Sequence, residues 1–425
     1  MVHFFTIVLL ICAVFFGVSY VKIIRAFRGR LALKLALAGV VVVLMLMPFA
    51  GMMLEQRGHF ALAWPLATIG FVALVAAGWF CALSLAADFW NGIVLLICGT
   101  DRPRRDKAIA SAAGDEPATD GGTDSTDTPP RHGALLPPGW TVIAIATIVA
   151  VGVTVGVFSA FNVQPRDVVI PVPKLPDGRR ELVVAQVSDL HLGLNERGAR
   201  MRQVIAILER VKPDMIVLTG DNIDSPLAHV DPYAEAFTHL QAPLGKYAIL
   251  GNHEFYVASR DTGSLEGVED WYRRAGFQLL RQEAVRPAPG LLVAGVDDPG
   301  RGDILPLNYN ERAALAEARA DDLVVFLKHR PLVNDGGYWA GQTMVQLSGH
   351  SHGGQIWPWH YVTKTQFPML QGLYDLSPVT SKADANRTAP GRYMYVSPGA
   401  GTWGPPLRLF ANPEVTILRF QVTTP

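Results

Sequence analysis

The sequence contains very few cysteines. Its 425 residues include three, Cys12, Cys81 and Cys98, and all of them lie in apolar runs near the N-terminus. Three residues placed in this way cannot build a disulfide framework or a cysteine-ligated zinc site. No cysteine follows residue 165, so the C-terminal part of the chain is indifferent to the redox state of its compartment.

Charged residues are also scarce. They make up 17% of the chain, whereas 50% of it is hydrophobic, and this balance favours a protein with membrane segments. Lys and Arg together number 37, as do Asp and Glu, so the formal net charge is zero. Composition therefore gives no indication of nucleic-acid binding, and no nucleic-acid partner is expected.

Long apolar runs occupy the N-terminal third. A bilayer core of about 30 Å needs about 20 apolar helical residues. Four runs are long enough: Phe4 to Ile24, Leu31 to Leu54, Phe60 to Cys98 and Trp140 to Phe161. The sequence therefore predicts three transmembrane helices within residues 1–99 and a fourth at 139–162. They carry no pattern of buried charges that would indicate a transport path, so we interpret them as an anchor.

Basic residues predict the orientation of these spans. One cluster follows the first run (Lys22, Arg25, Arg28, Arg30, Lys34) and another follows the third (Arg102, Arg104, Arg105, Lys107). Since such clusters stay cytoplasmic, four spans place the C-terminal domain on the extracytoplasmic side of the cell membrane. A double crossing by the long third run would give five spans and move that domain inside, with the second cluster outside.

The remaining chain divides into a linker and a large domain. Residues 100–138 are rich in Asp, Thr, Gly, Pro and Ala without apolar periodicity, which predicts a disordered linker. In residues 163–425, short apolar strands alternate with helical stretches. The strands are predicted at 182–187, 215–218, 247–250, 291–296, 323–327 and 344–347, and the helices at 197–211, 232–240, 267–275 and 311–320. Two further strands, 393–396 and 415–420, are predicted to be antiparallel.

Five of these strands end in loops that contain Asp, Asn or His. The loops carry Asp189 and His191, Asp221, Asn252 and His253, His329, and finally His350 and His352. Each loop alone is typical of a turn or a helix cap. In open α/β sheets, however, ligands bind outside the carboxyl ends of the strands, so we expect all five loops to face one site.

The side chains of these loops are of the types that commonly bind metal ions. They offer seven donors: Asp189, His191, Asp221, Asn252, His329, His350 and His352. A single catalytic metal usually takes three protein ligands, whereas seven suit two divalent ions about 3.5–4 Å apart. Mixed imidazole and carboxylate ligation favours Mn, Fe or Zn over Ca or Mg. Such a pair activates a bridging water and clamps a phosphoryl group, which indicates phosphoester hydrolysis.

Taken in order, the five loops resemble the signature of the calcineurin-like metallophosphoesterase family. The resemblance covers roughly residues 180–422, and Glu254 stands where many members have Asp. The stretch from Tyr395 to Pro406 is similar to a bacterial membrane-associated subgroup, and the helices before the domain resemble those of animal transmembrane proteins with a metallophosphoesterase domain. The resemblance implies an α/β fold, a four-layer α/β/β/α sandwich, preceded here by about four transmembrane helices.

The resemblance also implies a role for each residue. Asp189, His191 and His352 would hold one metal. Asn252, His329 and His350 would hold the other. Asp221 would bridge both, and His253 would be the catalytic residue that stabilises or protonates the leaving oxygen.

These patterns predict a membrane-anchored, two-metal phosphoesterase acting on phosphomonoesters or phosphodiesters, with lipid or cell-envelope material as a candidate substrate. An aromatic stretch at 357–361 and 372–374 is either a substrate lip at the membrane or a packed cap, and His360 and Arg408 are candidate phosphate contacts. Two alternatives stay open. One is a pyrophosphatase acting on a nucleotide-linked lipid precursor at the cytoplasmic face. The other is a non-catalytic membrane receptor on the same fold.

Overall fold

A computed structural model describes residues 2–27, 29–98, 135–194, 198–261, 263–300, 309–334, 341–377 and 391–422. The predicted linker at 100–138 lies outside the described residues up to residue 134. The chain divides into two compact units, one formed by Met1–Met45 with Ala73–Val151 and the other by Leu46–Val72 with Gly152–Pro425.

Four helices of the described chain are long and apolar enough to cross a membrane. They are α1 (Val2–Ala26), α2 (Leu31–Gln56), α3 (Phe60–Cys98) and α4 (Pro138–Ala160). Helix α3 is continuous over 39 residues, a length of about 58 Å at the usual helical rise. This length exceeds what a single bilayer crossing needs, and no turn interrupts the helix.

The lone acidic residue of α3 has a partner in the first unit. Asp88 forms an ion pair with Lys22, near the C-terminal end of α1. In the same unit, Cys12 and Phe16 of α1 pack against Ala77 of α3 in a small buried cluster. These contacts align α1 and α3 in the same direction, and the ion pair accounts for a charge in an otherwise apolar helix.

The second unit contains two six-stranded sheets. The first has the order β1-β12-β2-β3-β4-β5 and the second β10-β11-β9-β8-β7-β6. The strands are β1 (Gln164–Val172), β2 (Glu181–Val187), β3 (Met215–Thr219), β4 (Lys246–Ile249), β5 (Gln278–Leu279), β6 (Glu283–Ala288), β7 (Leu291–Gly295), β8 (Leu323–Leu327), β9 (Thr343–Ser348), β10 (Gly372–Asp375), β11 (Arg392–Val396) and β12 (Glu414–Val422).

Helices cover the outer faces of both sheets. They are α5 (Ala199–Val211), α6 (Leu227–Ala234), α7 (Asn252–Asp261), α8 (Glu266–Arg274) and α9 (Glu311–Ala314). A further short helix, α10 (His360–Gln366), buries none of its residues and lies beside the turn at His352–Gly354. Strands β3 and β8 are buried at every residue, as expected for parallel strands covered on both faces.

Three apolar clusters fill the interfaces between the layers. Val217 and Val325 belong to a core between the two sheets. Leu208 and Trp271 pack on the outer face of the first sheet, and Phe326 belongs to a third cluster, which includes Ala314 of α9, on the outer face of the second. The order of layers is therefore α/β/β/α, and the predicted fold class is confirmed.

Several details differ from the sequence-based prediction. Helix α6 begins at Leu227 and contains Pro232, which was predicted to begin the helix. Helix α9 ends at Ala314 instead of continuing to residue 320. Strand β12 is antiparallel to β2 but parallel to β1, and β11 is antiparallel to β10 but parallel to β9. The prediction of antiparallel closing strands was thus half right, because strand direction depends on partners that are distant in sequence.

Candidate metal centre

The five polar loops meet at the carboxyl ends of β2, β3, β4, β8 and β9. Backbone hydrogen bonds tie the loops together, since Asp189 N donates to Gly220 O at 3.0 Å and Gly349 N donates to His329 O at 2.9 Å. The seven candidate ligands are all at least partly buried, and six are less than a tenth exposed. The loops meet at one place, where six of the seven side chains form two groups of possible ligand atoms.

The ligand atoms form two compact groups. Asp189, His191 and His352 offer atoms that all lie within 4.8 Å of one another, and so do Asp221, His329 and His350. In the first group the Nε2 atoms of His191 and His352 are 3.0 Å apart. In the second, His350 Nδ1 lies 3.2 Å from His329 Nε2, which in turn lies 3.1 Å from Asp221 Oδ2. Apart from Asn252, the groups contain the residues that the resemblance assigns to the metals.

Asn252 offers a buried oxygen at the start of α7. In the part of the chain that the structure describes, its Oδ1 is buried and has no hydrogen-bond partner. A buried amide oxygen left in this way costs free energy unless a donor or a cation satisfies it. This orphaned acceptor fits a metal site.

The Nδ1 atoms of two candidate histidine ligands lie close to oxygen atoms outside the two groups. His329 donates Nδ1–H to the carbonyl oxygen of Thr219 at 2.8 Å. His191 Nδ1 lies 3.3 Å from Asp224 Oδ2. For His329, Nε2 is therefore the nitrogen available to a metal. In the described part of the chain His191 Nδ1 makes no hydrogen bond, and its Nε2 lies beside that of His352.

Several ionisable side chains in the site have pKa values shifted from their usual range. Burial raises the pKa of Asp221, but nearby His329 and His253 outweigh this effect and hold the pKa well below its usual range. Burial also opposes the charge on His329, yet Asp221 raises the pKa of His329 to about 10. Burial holds the pKa values of His350 and His352 well below their usual range, so both rings are neutral. A metal ion bound at His329 would displace a proton.

The backbone is strained at the same residues. Five candidate ligands have a left-handed φ: Asp189 (51°), His191 (46°), Asp221 (53°), His350 (68°) and His352 (51°). They are half of the ten non-glycine residues with positive φ in the described part of the chain. Each such residue costs on the order of 1–3 kcal/mol and persists only where its surroundings enforce it. Their concentration in one cluster indicates a functional constraint.

Two glycines provide room for this cluster. A Cβ at Gly349 would lie 2.1 Å from Asp189 Oδ2, and one at Gly251 would lie 2.2 Å from Asp221 Oδ1. At Gly349 the requirement is thus close approach of the loop to Asp189, and the left-handed conformation belongs to His350 itself.

Glu254 was not recognised from the sequence as a site residue. Its buried carboxylate accepts hydrogen bonds from the backbone N–H groups of Gly251, Asp221, Asn222 and Ile223, and from the hydroxyl of Tyr272. It thereby joins the loops that follow β3 and β4. An acidic residue in the first turn of α7 is the sequence signal that could have indicated this role.

Asp224 was also missed. Its Oδ1 lies 2.6 Å from His253 Nδ1, and it forms a third group of possible ligand atoms with His191 and His253. Burial opposes the charge on His253, but Asp224 and Asp221 raise its pKa to about 9. The signal in the sequence is a second acid three residues after Asp221.

The two candidate phosphate contacts differ in position. Arg408 is fully buried and donates to the carbonyl oxygens of Pro398, Gly401 and Ala411. Because its guanidinium also lies 3.2 Å from His352 Nδ1, it supports a candidate ligand, and its burial argues against a phosphate contact. His360 lines a small cavity together with Trp357 and Phe410.

We expect Gly349→Ala to separate the His350 loop from Asp189. The added methyl group would overlap Asp189 Oδ2 and Ser188 Oγ, so metal bound per chain should fall when measured by mass spectrometry on purified full-length protein. Gly139→Ala is the matched control, because a Cβ at Gly139 meets no heavy atom within 4 Å. Full metal content in Gly349→Ala would contradict this account of the glycine.

We expect Glu254→Gln to lower metal affinity by about 10–100-fold, the usual effect of losing an outer support of a metal site. The melting temperature should also fall, because buried backbone donors lose a charged acceptor. Calorimetric titration with Mn²⁺ measures the first effect and a thermal scan the second. Glu266→Gln, at an exposed position of α8, serves as the control, and equal behaviour of the two variants would contradict the role given to Glu254.

Comparisons with known proteins agree with this geometry. The family model described as calcineurin-like phosphoesterase matches residues 182–354. An uncharacterised metallophosphoesterase of Aquifex aeolicus is 37% identical over 257 residues, which cover 59% of this chain and 89% of the relative.

Animal relatives match in the same way. Proteins named as transmembrane proteins with a metallophosphoesterase domain are 28% identical in Danio rerio and 29% identical in Bos taurus. The matches cover 65% and 59% of this chain, and 61% and 56% of those relatives. The chain thus spans less than two thirds of the animal proteins, but most of the Aquifex one. From the fold, the strand-end loops and these similarities, the chain belongs to the calcineurin-like metallophosphoesterase family.

Proposed function

We propose that this protein is a membrane-anchored phosphoesterase that uses two divalent metal ions, of which Mn, Fe or Zn suit the donor set best. Asp189, His191 and His352 would hold one ion. Asn252, His329 and His350 would hold the other, with Asp221 between them. The observation that carries the proposal is the pair of buried carboxylate–imidazole groups, each within 4.8 Å, beside the unsatisfied oxygen of Asn252.

The residues around these groups support hydrolysis of a phosphoester. When bound, two divalent ions neutralise phosphoryl charge and make water a better nucleophile near neutral pH. Because His253 Nδ1 is held by Asp224, its Nε2 is the nitrogen free to donate a proton to the leaving oxygen. Asp221 Oδ1 accepts the backbone N–H of His253 at 2.9 Å, which fixes the proton donor relative to the candidate ligands.

The complete ligand set favours an enzyme over a receptor. Five left-handed backbone positions at candidate ligands are typical of a site whose geometry is functionally constrained. The sequence contains every one of these candidate ligands, and the proximity of six of them in two groups supports the proposal.

We further propose that the metal centre faces the extracytoplasmic side. The ion pair between Lys22 and Asp88 supports the same membrane side for the C-terminal ends of α1 and α3. Basic residues follow both helices, which favours the cytoplasm for that side. The C-terminal end of α4 then lies on the opposite side, together with the domain that follows it.

We expect Asp221→Asn and His350→Ala to reduce metal-dependent hydrolysis of a generic aryl phosphoester to background. Each change removes a donor from the second group of ligand atoms. The assay compares purified full-length variants in detergent with Mn²⁺ added. His239→Ala is the control, since His239 is exposed and pairs with Glu209 away from the site. Activity retained by either site variant would refute the proposed mechanism.

We expect an alkaline phosphatase reporter fused after residue 422 to be active, because that enzyme requires the oxidising extracytoplasmic side. A fluorescent reporter that folds only in the cytoplasm should be dark at the same position. The opposite pattern would place the centre in the cytoplasm and would favour the pyrophosphatase reading. Fusions after residue 107 provide the matched control with the reverse expectation.

A further inference from the structure

The turn between α2 and α3 contacts the catalytic unit beside the metal centre. Ser225, which follows Asp224, donates its hydroxyl to the carboxylate of Glu55 at the end of α2. The ring of Phe60, at the start of α3, stacks on His229 with centroids 3.9 Å apart. All of these residues belong to the second unit. One edge of the metal centre is thereby attached to the connection between two apolar helices.

The end of α4 contacts the same unit at a second place. Arg408 N donates to Gly156 O at 2.9 Å, and Ser159 donates its hydroxyl to Asn412 Oδ1 at 3.0 Å. The side chain of Leu407 packs directly against Gly156, since a Cβ added to Gly156 would lie 2.6 Å from the Leu407 side chain. Residues 407–412 are therefore fixed on the last turns of α4.

Helix lengths place both attachments at one membrane surface. Helix α4 has 23 residues, about 34 Å of helix, so its last turn lies just beyond a hydrocarbon core of about 30 Å. Because successive spans alternate in direction, the α2–α3 turn lies at the same surface as the end of α4. This relation holds for either absolute orientation.

Exposed aromatic side chains surround the second attachment. We call Trp357, Trp359, Tyr361, Trp403 and Phe410 the aromatic surface; their exposed fractions are 41, 59, 64, 52 and 75%. Trp357 N donates to Leu409 O at 3.3 Å, which joins the first three residues to the segment on α4. Trp and Tyr favour the interface between water and membrane, and a patch of this kind indicates a binding surface.

The aromatic surface also borders the metal centre. The Gln355 side chain, three residues after His352, hydrogen-bonds to the backbone of Trp403 through both its oxygen and its nitrogen. The Trp403 ring lies 6.0 Å from the ring of His253. The exposed residue Phe410 has a left-handed backbone φ of 64°. Such strained conformations cluster at functional sites.

We propose that the aromatic surface lies in the headgroup region of the bilayer that α4 crosses, and that the substrate is a phosphoester in the headgroup of a membrane lipid. The substrate class rests on the proposed phosphoesterase function, whereas the position of the surface does not. In the reaction, the oxygen of water joins phosphorus, the P–O bond to the leaving group breaks, and the leaving oxygen takes a proton. Water is the only co-reactant.

Spin labels test the position of the surface without reference to activity. Full-length protein with Cys12, Cys81 and Cys98 replaced by Ala would carry a nitroxide at Phe410→Cys or Trp359→Cys in vesicles of phosphatidylcholine and phosphatidylglycerol. We expect collisions with oxygen to exceed those with a water-soluble nickel chelate at both sites. At the control position Val169→Cys, on β1 and 52% exposed, the order should be reversed. Aqueous behaviour at Phe410 and Trp359 would overturn the proposed position.

A ratio of two activities tests the substrate class. The same vesicles would contain phosphatidic acid as a monoester probe, with phosphatidylglycerol as the diester probe, and soluble aryl phosphoesters would be assayed in parallel. We expect Phe410→Ser and Trp359→Ser to lower the ratio of lipid to soluble turnover by about tenfold, and Val169→Ser to leave this ratio unchanged.

The outcomes separate the two proposals. An unchanged ratio in the aromatic variants, or hydrolysis of soluble esters with neither lipid cleaved, would overturn the lipid substrate. Failure of the unaltered protein to cleave any probe would instead overturn the proposed phosphoesterase function and with it the substrate class, while the spin-label result would still decide the position of the surface.

Discussion

The buried carboxylate of Asp221 is the constraint on which the rest of the site depends. A charge without access to water is costly unless neighbours offset it, and here His329 and His253 hold the pKa of Asp221 well below its usual range. Glu254 fixes the backbone on either side of this residue, and Gly251 leaves room for its side chain. The loops at the strand ends bring ionisable groups to one point. The glycines leave room for them, and the left-handed backbone of five candidate ligands directs their side chains there.

The sequence predicts the parts of the fold that carry strong local signals. Apolar strands such as β3 and β8 and the apolar helices follow from runs of residues, and the seven candidate ligands follow from their positions at strand ends. Strand direction did not follow, because β11 and β12 each have one parallel and one antiparallel partner. The roles of Glu254, Asp224 and Arg408 did not follow either, since each acts through contacts that only the packed loops create.

The apolar helices and the metal centre are connected through short stretches of chain. Glu55 and Ser225 connect the α2–α3 turn to the loop that carries Asp224, and the contact of Arg408 with Gly156 connects α4 to the residues behind His352. The proposed anchor therefore contacts loops that border the candidate metal centre. The exposed aromatic residues beside these contacts support the membrane position that we propose for this surface, because Trp and Tyr favour the interface between water and membrane.

The most direct test of the central claim is the metal stoichiometry of the purified full-length protein, measured together with its activity during removal and return of metal. The account predicts about two divalent ions per chain, loss of phosphoester hydrolysis as a chelator removes them, and recovery when Mn²⁺, Fe²⁺ or Zn²⁺ is restored. Hydrolysis that continues after the metal has been removed, or a chain that binds no divalent ion at the Asp221 site, would contradict it.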